Sequence, residues 1–237
     1  MNKNLHAEST RKSRSKFLSP KTSMLAGSFY LLTFISIPTL SLYAPLRDPN
    51  FMQDRDSVDG IVLGTVLEMF MALACIATAV VFYPVLKKQN PRLALSFVAS
   101  RILEASLIFV GVGSLLTALS LHQEGAGTSA SLLVHTLVLM YDRLFLIGQS
   151  FMPVINGLLL GILLFKSRLV PRWIPILGLF GAPLLAIGDG AVIFGLIGQH
   201  ASTTALFAVP IALWEFSLGL YLLGNGMYRY LKKPSEN

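Results

Sequence analysis

One stretch of the chain combines the length of a membrane-spanning helix with two charged residues. Residues 95–116, LSFVASRILEASLIFVGVGSLL, form an apolar run that contains Arg101 and Glu104. A bilayer core of roughly 30 Å needs about 20 helical residues, and a charge near its centre costs about 3 kcal/mol. Residues at positions i and i+3 share one helical face, so Arg101 and Glu104 can pair and also bond a neighbouring helix. The run predicts a transmembrane helix whose charged face is buried in protein.

The composition extends this interpretation to the whole chain. Hydrophobic residues make up 54% of the 237 residues and charged residues 13%, against about 25% charged residues in soluble domains. The single cysteine, Cys75, excludes a disulfide framework and a thiol metal cluster. The length suffices for one helical bundle, so the composition predicts an all-α, multi-pass membrane protein. No cofactor is expected.

Six apolar runs divide the chain. They predict a single transmembrane domain over residues 24–231, with helices at about 24–44, 60–86, 94–119, 132–165, 173–198 and 204–228. The first run is too long for the apolar part of a signal peptide and lacks a suitable cleavage site, so we expect it to be uncleaved. Residues 1–23 are basic and polar, which is typical of a disordered tail, and residues 232–237 form a second short tail.

The distribution of lysine and arginine predicts the orientation. The N-terminal tail holds six of them, and three follow each of the second, fourth and sixth runs, whereas the alternate side holds only Arg47 and Arg55. Because basic residues concentrate in cytoplasmic segments, both termini are expected in the cytoplasm. This topology also accounts for the net charge of +7 without nucleic-acid binding. The basic N-terminal tail is also suited to contact anionic lipid, although topology alone explains it.

Polar residues inside the apolar runs define a candidate site. Five acids against Arg101 and Arg143 would give these runs a charge of −3 if all were ionised. A low-dielectric interior does not tolerate this charge, so some carboxyl groups are expected to be protonated or to bind a cation or water. Polar residues also recur every seven positions from His135 to Asn156, which predicts a shared helical face. The candidate residues are Glu68, Arg101, Glu104, Asp142, Gln149, Asn156, Asp189 and Glu215.

Three functions fit these residues. The first is the binding or movement of a small solute, an ion or a proton, since such sites are built from intramembrane acids on facing helices. The alternative is a non-catalytic membrane sensor or scaffold whose charges only fix helix packing. The third is an intramembrane metal-dependent hydrolase using His122, His135 and His200, which the topology places on the outer side. No HExxH motif supports that third hypothesis.

Several strings of sequence resemble one family over about residues 26–223. They are AGSFYLLTF, LYAPLRDP, ALSFVASRILEASLI, NGLLLGILLFKSRLVPRWIPILGLFGAPLL and PIALWEFSLGLYLL. Together they resemble the DUF4386 family of bacterial integral membrane proteins. The resemblance implies a multi-helix protein of the bacterial cell (inner) membrane and brings no activity, substrate or cofactor. The family pattern has a His-Asp-Trp-like segment where this chain has Tyr141, Asp142 and Arg143, so Asp142 alone carries over, which weakens a metal role there.

Overall fold

The structure is a computed structural model and describes residues 18–48, 51, 58–124 and 130–231. These residues form helices joined by short connections, with no β-strand among them. Most of the predicted basic tail (1–17), the predicted C-terminal tail (232–237) and Arg55 lie outside the described residues.

The helices follow one another with short links. They are α1 (Pro20–Leu32), α2 (Thr39–Leu42), α3 (Val58–Leu86), α4 (Pro91–Gln123), α5 (Ser131–Phe145), α6 (Met152–Ser167), α7 (Trp173–Ile193) and α8 (Ser202–Leu231). Side chains cap two of the N-termini: Ser19 Oγ accepts from the Thr22 amide at 3.1 Å, and Asn90 Oδ1 accepts from the Leu93 amide at 3.1 Å. Each cap satisfies an amide that the helix itself leaves unpaired.

Five helical segments of the described chain are long and apolar enough to cross a membrane. They are Val58–Leu86, Pro91–Gln123, Ser131–Ser167, Trp173–Ile193 and Ser202–Leu231. These segments correspond to the second to sixth predicted runs. Large apolar side chains such as Phe180, which is 65% exposed, lie on their outer surfaces, as lipid-facing positions require.

The first predicted run does not form the continuous helix expected over residues 24–44. Helix α1 ends at Leu32, a 3₁₀ turn spans Thr33–Ser36, and α2 begins at Thr39. Pro38 has no amide hydrogen to donate to the carbonyl of residue 34, and its ring would crowd that carbonyl in a regular α-helix, which favours a break there. The Thr39 hydroxyl donates to the Ser36 carbonyl at 2.7 Å and satisfies part of the freed backbone.

The fourth predicted run is interrupted as well. A π-helical turn, Leu146–Phe151, separates α5 from α6 and lies immediately before Pro153. Pro153 cannot donate to the Gln149 carbonyl, and its ring pushes that carbonyl away, which widens the turn. The expected polar face is only partly present: Asp142 and Asn156 are buried, but His135 is exposed.

The long helices and α1 pack in a closed order. Helix α1 contacts α8, α8 contacts α7, α7 contacts α6, α6 contacts α4, α4 contacts α3, and α3 returns to α1. Helix α5 packs on α4. Trp214, Tyr30 and Phe82 are fully buried in the largest apolar cluster, with Tyr30 edge-on to both other rings. Arg101 extends from α4, one of the helices of this ring.

Candidate functional site

The predicted pair of Arg101 and Glu104 lies at the centre of the bundle. Arg101 is 1% exposed, and its Nη1 lies 2.8 Å from Glu104 Oε2. The guanidinium carbon lies 5.2 Å from the ring centroid of Tyr30 and 5.9 Å from that of Phe97. Aromatic faces attract a cation at these distances. The arginine is thus held by one carboxylate and two rings in place of water.

A chain of hydrogen bonds links this pair to α6. Asn156 Nδ2 donates to Glu104 Oε2 at 2.7 Å, and Ser100 Oγ donates to Asn156 Oδ1 at 2.5 Å. Glu104 therefore accepts from a charged and a neutral donor at the same oxygen. These bonds fix the position of Glu104 between α4 and α6.

Glu215 on α8 faces the same arginine without bonding it. Its Oε1 lies 3.6 Å from Arg101 Nη2, which is an ion-pair distance but too long for a hydrogen bond. Among the residues that the structure describes, Glu215 Oε1 and the Arg101 Nε and Nη2 atoms are buried without a hydrogen-bond partner. Such atoms in a native structure require an explanation, because a buried polar group without a partner costs about 1–3 kcal/mol.

The two residues that carry these atoms, Arg101 and Glu215, line a cavity of about 170 Å³, which we call the central cavity. A water molecule needs roughly 10–15 Å³ in this measure, so the cavity can hold several waters or a small solute. The interrupted segment after α1 forms one of its walls. The lining residues are Thr33, Phe34, Ser36, Ile37, Met71, Cys75, Arg101, Glu104, Phe145, Gln149, Pro153 and Glu215.

Glu68 is the centre of a second polar cluster, and its hydrogen bond with Gln149 connects this cluster to the central cavity. Glu68 Oε1 accepts from Tyr141 Oη at 2.5 Å and from Gln149 Nε2 at 3.3 Å. Gln149 lies in the π-helical turn and lines the central cavity. Tyr141 is a functional candidate that the sequence reasoning missed, since a lone tyrosine in an apolar run carries no spacing signal.

Asp142 and Asp189 have partners of their own. Asp142 Oδ1 lies 2.6 Å from Arg47 Nη2, and Asp142 Oδ2 lies 3.1 Å from His200 Nε2. Asp189 Oδ1 accepts from Ser150 Oγ at 2.6 Å. The predicted candidates thus divide into a charged centre (Arg101, Glu104, Asn156 and Glu215), a neighbouring pair (Glu68 and Gln149) and two acids that bond other residues.

The three candidate histidines, all in the described part of the chain, do not come together as a metal site. His122 Nε2 lies 3.0 Å from the Phe51 carbonyl oxygen and its ring stacks on Phe51, His135 is exposed, and His200 contacts Asp142. Within the described ranges, no three His, Cys, Asp or Glu side chains are grouped so that they could hold a metal ion. The hydrolase hypothesis therefore gains no support from the geometry.

The all-helical fold, the five apolar helices and the buried charged centre define the class of protein, a multi-pass membrane protein. The chain belongs to the DUF4386 family, described as a domain of unknown function, which it matches over residues 25–226. This confirms the resemblance inferred from the sequence. Comparison of the chain with curated proteins and with solved structures finds no significant match.

Proposed function

We propose that the protein binds and moves a small solute, an ion or a proton in the central cavity. The observation that carries the proposal is the set of buried atoms without a hydrogen bond, Nε and Nη2 of Arg101 and Oε1 of Glu215, in two residues that line this cavity. A solute or a hydrated ion in this position supplies an acceptor to the arginine and a donor to the glutamate. Their unpaired atoms then cost no stability in the loaded state.

The charge balance favours a ligand that brings positive charge. Arg101 contributes +1, and Glu104 and Glu215 would contribute −2 if both were ionised, which would leave −1 at the cavity wall. A buried net charge is costly unless it is neutralised. A proton on Glu215, or a small cation beside it, removes that cost, so proton and small cation are the ligands that the site fits best.

The scaffold alternative has its own observation. The chain from Ser100 through Asn156 to Glu104 is complete, and it ties α4 to α6 as interhelical hydrogen bonds do in structural interfaces. We therefore assign a structural role to Glu104 and the ligand-binding role to Glu215. A protein that is only a scaffold needs no carboxylate at a cavity with an oxygen that lacks a hydrogen bond.

The orientation in the membrane is part of the same proposal. We infer that the chain crosses the membrane six times and that α1, the interrupted segment after it and α2 together form the first crossing. Both termini then lie in the cytoplasm of a bacterial cell. The support is the concentration of basic residues on alternate connections. The basic N-terminal tail then lies at the anionic inner surface.

Thermal unfolding in nanodiscs tests the proposal. The unfolding midpoint is measured against ammonium, methylammonium, Na⁺, K⁺ and pH, at constant ionic strength set with bulky N-methylglucamine. A bound cation at 100 times its dissociation constant is expected to add about 2.7 kcal/mol to the free energy of unfolding. Glu215→Gln is expected to abolish this response because it removes the uncompensated charge.

The control is Glu124→Gln, the same substitution at an exposed acid after α4. This variant is expected to respond to the cations as the wild type does. An identical response of Glu215→Gln and wild type would refute the proposed site. A wild type that responds to none of the probes and not to pH would refute the function.

A further inference from the structure

A second cavity, of about 390 Å³, lies next to the central one, and we call it the peripheral cavity. One part of its wall is charged and contains Arg47, Asp142 and His200, with Asp142 bonded to both of the others. Another part is aromatic: the Tyr43 and Tyr141 rings lie 5.3 Å apart, and the Phe145 ring lies 6.3 Å from Tyr141. The remaining lining residues are Thr39, Ser150, Gln199, Ala201, Ser202, Thr204, Ala205 and Ala208.

The two cavities share a wall. Phe145 lines both of them. In the π-helical turn that follows, Gln149 lines the central cavity and Ser150 the peripheral one. The same division occurs across Pro38, where Ile37 lines the central cavity and Thr39 the peripheral one. Both interrupted segments of the fold therefore lie between the cavities.

Hydrogen bonds also connect the two sides. Tyr141 lines the peripheral cavity and donates to Glu68, and Glu68 accepts from Gln149, which lines the central cavity. The hydrogen-bonded series Tyr141, Glu68 and Gln149 thus joins the two cavities that Phe145 lines. A ligand that displaces the Phe145 ring meets Tyr141 in the peripheral cavity and Gln149 in the central cavity.

We propose that the peripheral cavity is the access site for a small organic ammonium ion, and that Phe145 separates this site from the central cavity. The inference rests on the proposed function and narrows its ligand. Three aromatic rings favour an organic ammonium ion, since aromatic faces attract such ions and are well suited to their alkyl groups. The irregular turn that follows Phe145, Leu146–Phe151, supplies the freedom that movement of the ring requires.

Cys75 provides a built-in reporter, because it is the single cysteine of the chain and lines the central cavity. The experiment measures the rate at which 2-(trimethylammonium)ethyl methanethiosulfonate modifies Cys75 in nanodiscs, where lipid excludes this charged reagent from lateral approach. Wild type is expected to react slowly. Phe145→Ala is expected to react about tenfold faster, because the fraction of molecules with an open path rises.

Two further variants make the result specific to this route. Ala208→Phe, which fills the peripheral cavity, is expected to reverse the effect when combined with Phe145→Ala, whereas a general loosening of the fold would not be reversed. Phe180→Ala, at a lipid-facing phenylalanine, is expected to react at the wild-type rate.

Phe145→Leu replaces Phe145→Ala if the latter does not fold, and a smaller acceleration of the labelling rate is then expected. Cys75→Ser gives the background.

Three outcomes would overturn the proposal. Equal rates for wild type and the Phe145 variants would exclude Phe145 as the separating side chain. An acceleration that Ala208→Phe leaves unchanged would exclude the peripheral cavity as the route. Equal modification by the anionic 2-sulfonatoethyl reagent would exclude the ammonium class. Because labelling measures access and not stabilisation by a ligand, its failure is distinguishable from failure of the proposed cation site.

Discussion

Replacing Arg101 with methionine is expected to lower the free energy of unfolding by about 3–5 kcal/mol, the usual cost of removing one partner from a buried ion pair. The variant keeps an apolar side chain of similar length but leaves the carboxylates of Glu104 and Glu215 without the cation that faces both. Titration with denaturant in detergent micelles measures the loss.

The matched control is Arg143→Met on α5. Arg143 is exposed and donates to Gln199 Oε1 at 3.2 Å. Exposed polar contacts of this kind contribute at most about 1 kcal/mol, so the control should change stability little. Equal losses at the two positions, or a loss below that limit at Arg101, would show that the charged centre does not hold the bundle together.

Gly27→Ala is expected to cost about 3 kcal/mol, near the upper end of the range for overpacked interiors. A Cβ at this position would lie 2.7 Å from the Gly219 carbonyl oxygen and 2.9 Å from Leu223 Cα. These are backbone atoms of α8, so no side-chain rotation relieves the contact and α1 must move away from α8. The unfolding midpoint in detergent measures this effect.

Gly113→Ala on α4 is the control for the added methyl group. Apart from Gly113, its two chain neighbours and the backbone of its own helical turns, no described residue has an atom within 4 Å of a Cβ built there. Alanine loses less backbone entropy than glycine on forming a helix, so this variant is expected to gain about 0.5–1 kcal/mol. If the two alanine variants had the same stability, the close packing of α1 on α8 would be wrong.

The sequence predicted the parts of the fold that follow from hydropathy and from local spacing. Five apolar runs are long helices, and the pairing of Arg101 with Glu104 follows from their i,i+3 spacing and from the cost of a lone buried charge. The interruption after α1 was missed, because hydropathy is the same for a continuous and a broken segment. Pro38 and the neighbouring hydroxyl groups are the local sequence features that indicate the break.

The partners of the other acids required the structure. Asp142 contacts Arg47 and His200, which lie 95 and 58 positions away in the chain, and Glu68 contacts Tyr141 at a separation of 73. Such contacts depend on how each helix is rotated, which packing across the bundle sets. The central cavity likewise arises only where α3, α4, α5, α6, α8 and the interrupted segment after α1 meet.

The most direct test of the central claim is the charge displacement that a methylammonium concentration jump produces in proteoliposomes on a solid-supported membrane. If the central cavity binds a small cation at Glu215, wild type and Glu124→Gln will give a saturable transient current that Glu215→Gln lacks. A current of equal size in Glu215→Gln, or no current in wild type, would contradict the claim.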